Sequence, residues 1–198
     1  MSTLIIVDCE ATGLVPSRGQ LTEFGAVNFT AFNVAYKALC AAPSYTIMPP
    51  TPEEITELWR TEWMFHGRII PRRSSRVTIV PEITSEMSST DVGAQEFAAF
   101  TAFRTWLKDQ DKGRSVFVSD NPAFDFMWIA DGFVRTIGEN PFGHSGRRIS
   151  DFYAGLMGDL YQTQEWKDLR ITPHDHNPVH DSMGNAEALA RLLTGVRP

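Results

Sequence analysis

Asp8 and Glu10 stand one residue apart at the end of Leu4-Ile5-Ile6-Val7, an aliphatic run with the character of a strand buried on both faces. In a strand, residues i and i+2 share a face, so the two carboxylates point the same way and Cys9 points the other. Two such charges repel by about 4 kcal/mol at roughly 4 Å with an effective dielectric near 20. A fold tolerates that when one acid is protonated or a cation lies between them. A D-x-E pair alone is better read as two solvated acids at a strand end, so the reading depends on whether further acids arrive at the same place. Two more do. Asp125 lies in the first turn expected after Asn121-Pro122, close to the end of the strand Arg114–Ser119. Asp181 lies near one end of the stripe Ala186, Leu189, Ala190 and Leu193 of the last helix, flanked by His174, His176 and His180. An acid on a core-facing helix surface is costly unless paired or metal-bound. Four acids and a histidine at one locus outline a two-metal site.

The elements that must position them follow from local signals. After a turn at Thr12-Gly13, Leu21–Phe32 reads as a second strand and Val34–Tyr45 as its antiparallel partner, with Asn33 at the turn. Thr51-Pro52-Glu53-Glu54 has the form of a capping box, so a helix is expected from there to about Phe65, with Ile55, Leu58, Trp59 and Trp63 on one face. Asp91–Lys108 is an amphipathic helix with Phe97, Phe100, Phe103 and Leu107 inward and Trp106 at its margin. Asn121-Pro122 and Asn177-Pro178 are helix starts, an Asx cap followed by proline. Arg147–Ser150 reads as a short strand, followed by a helix capped by Asp151 and reaching about Tyr161. The last helix ends near Thr194-Gly195. This order predicts an α/β fold, a mixed sheet with helices on its faces and the functional residues beyond the carboxyl ends of its strands.

Bulk properties narrow the class. The 198 residues carry a net charge of −6 and two cysteines. The charge argues against a generic polyanion-coating protein but not against a nucleic-acid enzyme whose acids hold divalent cations. Two cysteines make no disulfide framework, and neither a signal peptide nor a membrane span is expected, so the reading is a cytoplasmic chain. The stretch Arg68-Ile69-Ile70-Pro71-Arg72-Arg73-Ser74-Ser75-Arg76 holds four arginines and no acid. It reads either as a phosphate-contacting loop beside Trp59, Trp63 and Phe65, rings that could stack on bases, or as a solvated loop.

Taken together, the motifs resemble a known family. Asp8-Cys9-Glu10-Ala11-Thr12-Gly13 is similar to the first motif (D-x-E-T-T-G) of the DnaQ-like, or DEDD, 3′–5′ exonucleases. Asn121-Pro122-Ala123-Phe124-Asp125 is similar to the second, and His176-Asn177-Pro178-Val179-His180-Asp181 to the third motif of the histidine (DEDDh) branch. Leu21–Val27 resembles the strand that follows the first motif, and Arg148–Asp151 the segment between the last two. Three motifs in order over nearly the whole chain make a specific signal. Ala11 replaces the usual threonine, and Pro178 the usual alanine. The spacing from Asp8 to Asp125 is long, which places an expected variable insertion at 46–90. The Thr51–Trp59 segment looks closest to the DexA-like branch of phage and bacterial exonucleases and exoribonucleases.

The resemblance implies a ribonuclease-H-like fold with a mixed five-stranded sheet and helices on both faces, in a single exonuclease domain over 1–198. It implies that Asp8, Glu10, Asp125 and Asp181 hold two divalent cations, Mg²⁺ or Mn²⁺, as their hard oxygen ligands also suit. It casts His176, whose side-chain type titrates near neutrality, as general base. Ala11, Thr12, Leu14 and Phe124 occupy the positions that cradle the terminal nucleotide. For Leu14 and Phe124, taken alone, plain core packing is the better reading. Expected partners are single-stranded DNA or RNA 3′ ends, with a homodimer admitted and no membrane. His174 and His180 are expected to be solvated; Asp120, Asp151 and Asp175 to serve caps and turns; Glu23 to support the site from the neighbouring strand or to be a surface acid. The competing classes are a binding module of the same fold that no longer cleaves, and a relative of the ribonuclease-H group that cuts internally.

Overall fold

The computed structural model describes residues 2–41, 50–69, 92–110 and 113–198. The expected elements at 42–49 and the arginines at 72, 73 and 76 lie outside these. A mixed five-stranded sheet forms the centre, in the order β3-β2-β1-β4-β5. Its strands are β1 (Ser2–Ala11), β2 (Leu21–Asn28), β3 (Met64–Arg68), β4 (Arg114–Ser119) and β5 (Gly146–Arg148). The β1–β2 and β2–β3 pairs are antiparallel; β1–β4 and β4–β5 are parallel. The α/β class and the mixed five-stranded sheet with helices on both faces stand as expected, consistent with a ribonuclease-H-like fold. Among the described residues no helix is long and apolar enough to cross a membrane.

Alternation along β1 divides the core. Ile5, Val7 and Cys9 join Phe24, Ala26 and Phe65 on one face, covered by α3 (Val92–Gln110) and α4 (Pro122–Ile137) through Phe100, Phe103, Trp128, Ile129 and Phe133. Ile6 and Val27 join Phe29, Phe32, Tyr36, Ala186 and Ala190 on the other, covered by α1 (Phe29–Cys40) and α6 (Pro178–Leu193). The same alternation sends Asp8 and Glu10 to the α1/α6 face.

Several expectations are corrected. The predicted strand at Val34–Tyr45 is helical where described. Asn28, not Asn33, turns the chain, its side chain accepting from the amide of Ala31 as the cap of α1. Phe29, Phe32 and Tyr36 recur at three- and four-residue steps, the stripe of a helix rather than the alternation of a strand. The third antiparallel strand is instead β3, which begins where the expected long helix was to end, near Phe65. The capping box of Thr51 and Glu54 does form, but it opens only α2 (Pro52–Thr56), after which a 3₁₀ turn at Thr61–Trp63 leads into β3.

Phe97 faces solvent, 55% exposed. The buried stripe of α3 runs through Glu96 instead, whose carboxylate forks with Arg135 at 2.7 Å on both oxygens. Leu193 is exposed, not part of the α6 stripe. Arg147 and Arg148 close β5, while Ile149 and Ser150 already belong to α5 (Ile149–Met157), which stops short of Tyr161 and has Arg148, not Asp151, at its cap. Asp151 lies in its first turn, paired with Arg148.

Candidate functional site

Four local features bring remote residues to one end of β1. Strand pairing sets Asp8 opposite Gly25 and Glu10 opposite Glu23, with an irregularity after Glu10 where β1 leaves the register. Gly25 admits the start of α6: a Cβ there would lie 2.3 Å from the carbonyl carbon of Pro178 and the amide nitrogen of Val179. Ser182 Oγ donates to the Gly25 carbonyl at 3.2 Å. Asn177 caps α6, its side chain accepting from the Val179 amide, and Pro178 occupies the first turn. Asp181, one turn in, is thereby carried onto Asp8.

The result is a group of three acids. Asp8, Glu10 and Asp181 each offer an oxygen, all within 4.8 Å of one another. Asp181 is 2% exposed. Its Oδ1 accepts from His174 Nδ1 at 2.7 Å, and its buried Oδ2 has no hydrogen-bond partner among the described residues. Burial, then the charges of Asp125, Asp181 and Glu10, push the Asp8 carboxyl well above its ordinary range, with Arg170 pulling the other way. A buried oxygen with no donor among the described residues, beside two further acids, leaves uncompensated negative charge that a cation would offset. The three acids fit a hard divalent ion; among the described residues the group contains no cysteine or histidine that would favour zinc.

Asp125 is close enough to raise Asp8 electrostatically, yet it is not within this group. It sits in the first turn of α4, which begins at Pro122 as expected although the Asn121 side chain makes no capping bond. Cys9 Sγ donates to Asp125 Oδ1 at 3.5 Å. Burial raises Asp125 to about 7, against the lowering effect of Ser119 and of Cys9 beside it. Burial and the neighbouring acids push the Cys9 thiol upward too, so it remains a donor.

His176 adopts a left-handed backbone (φ 60°), and its Nδ1 meets Glu10 Oε1 at 3.2 Å. Its side chain is 67% exposed, so the imidazole borders both the acids and solvent. His174 is not simply solvated: besides its bond to Asp181, its ring meets that of His176 edge-on at 4.4 Å. His180 pairs with Asp175, and Asp175 also caps a turn by accepting from the Asn177 amide.

The first loop is closed on itself. The Thr12 amide donates to the Gln20 carbonyl, and the Gln20 amide to Thr12 Oγ1. Gly13 packs on Arg18 and Gly19 so closely that a Cβ would lie 2.6 Å from the Arg18 carbonyl oxygen. Ala11 is half-buried, Leu14 stands 83% exposed, and Phe124 lies half-buried and edge-on to Trp128. Glu23 is no surface acid: it is buried, bonded to His66 Nε2 at 2.5 Å and Arg68 Nε at 3.3 Å. The aromatic rings are not a base-stacking platform. Trp59 stacks on Phe32 at 4.2 Å and donates to Glu187, Trp63 packs against the α1/α6 core, and Phe65 is buried under α3.

Residues without a sequence signal complete the site. A cleft of about 520 Å³ runs from Asp8, His174 and Asp181 along a 3₁₀ turn (Glu165–Leu169) to Lys167 and Arg170. Buried Glu187 accepts from the amides of Ile171 and Thr172, from Thr172 Oγ1 and from Trp59, fixing the segment that leads into His174.

The sheet and site together define an α/β chain, consistent with a ribonuclease-H-like fold, that carries a metal-ligand-type carboxylate group at the end of its central strand. No family model matches the chain. It is similar to the 3'-5' DNA exonuclease Cap18 of Escherichia coli, 28% identical over 108 residues. That match takes in 51% of this chain and spans 57% of the relative's length.

Proposed function

We propose that the chain is a metal-dependent 3′–5′ exonuclease that acts as one domain in the cytoplasm on single-stranded DNA or RNA. It hydrolyses the terminal phosphodiester and releases nucleoside 5′-monophosphates. The observation that carries this reading is the convergence of Asp8, Glu10 and Asp181 within 4.8 Å, with a buried oxygen of Asp181 unsatisfied. The similarity to a protein named as a 3'-5' DNA exonuclease supports it.

Asp8, Glu10 and Asp181 are assigned as ligands of two divalent cations, Mg²⁺ or Mn²⁺, with Asp125 as the fourth. Ions held there would lower the pKa of bound water and offset charge on the leaving 3′ oxygen. The protein's own contributions are positional. His176, its Nδ1 turned to Glu10, presents Nε2 to take the proton of the attacking water. His174 holds Asp181 in place through Oδ1, leaving Oδ2 for the site. Ala11, Thr12, exposed Leu14 and Phe124 are assigned to receive the terminal nucleoside.

The test is digestion of linear and circular single-stranded oligonucleotides, DNA and RNA, with Mg²⁺ or Mn²⁺. We expect stepwise shortening of 5′-labelled linear strands, 5′-mononucleotide product and intact circles. Linear strands left whole with both metals, or circles opened, would overturn the reading.

A further inference from the structure

Beyond the acids, the cleft has a cationic wall that none of the roles above uses. Lys167 and Arg170 stand three positions apart at the end of the 3₁₀ turn Glu165–Leu169, a spacing that puts both on one side of the chain. Both lie against the ring of buried Trp166, at 5.8 and 5.2 Å from its centroid. Lys167 Nζ is fixed at 2.6 Å from Asp120 Oδ2, while Asp120 Oδ1 is itself held by Ser150 Oγ at 2.9 Å. Arg170 is fixed by buried Asn185. Two half-buried cations are thus held rigidly in the same cleft as Asp8 and Asp181, with Asp120 and Asp168 as the other charged groups lining it.

The position of that wall relative to the loop of Ala11, Thr12 and Leu14 is informative. Asp8 and Asp181 line the same cleft as Lys167 and Arg170, whereas that loop and Phe124 do not line it. A strand whose terminal linkage lies over the acids, with its last nucleoside on the loop, has this cleft open to its upstream part. The next phosphate upstream then arrives beside Lys167 and Arg170.

We propose that Lys167 and Arg170 form a binding site for the phosphodiester one nucleotide upstream of the scissile linkage. This rests on the exonuclease reading. The ligand class is a nucleic-acid backbone phosphate, recognised by charge-assisted hydrogen bonds without reference to the base. Lys167 keeps two ammonium protons beyond the one given to Asp120. With divalent cations on the acids, the cleft changes from net negative to attractive for a phosphate.

The test compares three short substrates lacking a 5′-phosphate: dithymidylate, which has only the scissile linkage; trithymidylate, which adds the upstream one; and trithymidylate with that upstream linkage replaced by a neutral methylphosphonate. For the wild-type protein, kcat/KM is expected to be about tenfold higher for the trinucleotide than for the dinucleotide, the scale of one charge-assisted contact. The methylphosphonate and, separately, Lys167→Gln are each expected to bring that ratio to near unity. Equal use of all three substrates by the wild type, or a Lys167→Gln protein that keeps the full ratio, would overturn the proposal. The methylphosphonate needs no variant, so the test stands even if a substitution harms folding.

The same substrates in competition binding with Ca²⁺ separate this proposal from the exonuclease reading. Absence of hydrolysis with both Mg²⁺ and Mn²⁺, with the charged trinucleotide still bound in Ca²⁺ roughly fivefold tighter than its methylphosphonate by wild type only, would sink the exonuclease reading and keep the site. Equal binding of the two would sink the site.

Discussion

Helix α6 carries two buried carboxylates, Asp181 and Glu187, and they are opposites. Glu187 receives hydrogen bonds from Trp59, Ile171 and Thr172, four donors in all. Asp181 receives one, from His174, and its other oxygen is buried with no partner among the described residues while two further acids crowd it. Both cost solvation to bury; only one is compensated by the protein itself. A satisfied buried acid is architecture. An unsatisfied one beside like charges marks a place where something else is meant to bind.

The comparison breaks first at activity. Asp181→Asn should lower nuclease turnover by more than the roughly 10- to 100-fold typical of groups one shell removed from a metal, with the metal-free fold retained, as read by single-turnover digestion and circular dichroism. Equal activity in the variant would place Asp181 with Glu187 among the structural acids. Glu187→Ala should do the reverse to stability: it strands four donors and costs about 3 kcal/mol or more in urea unfolding.

Mn²⁺ sharpens the contrast. At about one hundred times its dissociation constant a ligand stabilises by roughly 2.7 kcal/mol, a rise in Tm of several degrees for a chain of this size. Wild type should show that rise, and Asp181→Asn should lose most of it.

The pH dependence gives a smaller effect. Burial raises Asp125 to about 7 and Asp8 well above its usual range. Their folded forms therefore bind protons that the unfolded chain, titrating near 4, has released. The metal-free protein should gain stability from these groups as pH falls from about 8 toward 5, and lose it as pH rises through about 7. Asp125→Asn should flatten that slope, measured by chemical unfolding at a series of pH values; an unchanged slope would contradict the assignment. Smallest of all, Phe97→Ser on the exposed face of α3 should change stability by less than about 0.5 kcal/mol.

Much of the site was readable because its geometry is local. The i, i+2 spacing of Asp8 and Glu10 fixes their common face whatever the rest of the chain does, and Asn177-Pro178 fixes where Asp181 enters its helix. The misreadings occur where tertiary packing decides. Phe29, Phe32 and Tyr36 carry a helical period over too short a stretch to outweigh the strand-forming residues around them, and packing on Ile6 and Val27 settles α1 as a helix. Phe97 fits the apolar stripe of α3 as well as Glu96 does until Arg135 arrives from α4 to pair with the acid. No pattern in the sequence ties Glu187 to Thr172 or aims His174 at Asp181, because those contacts depend on a loop path rather than a period. Cys9 is the instructive case. Its place on the opposite face from Asp8 was legible, but not that Asp125 would turn toward it and stand outside the three-acid group.

The central claim is that Asp8, Glu10 and Asp181, with Asp125, hold divalent cations. The most direct measurement is a Mn²⁺ titration followed by electron paramagnetic resonance of the free ion. Wild type should remove about two equivalents of Mn²⁺ from solution, in line with a two-ion site, and Asp181→Asn should remove markedly less. A free-ion signal that the wild-type protein leaves undiminished would contradict the account.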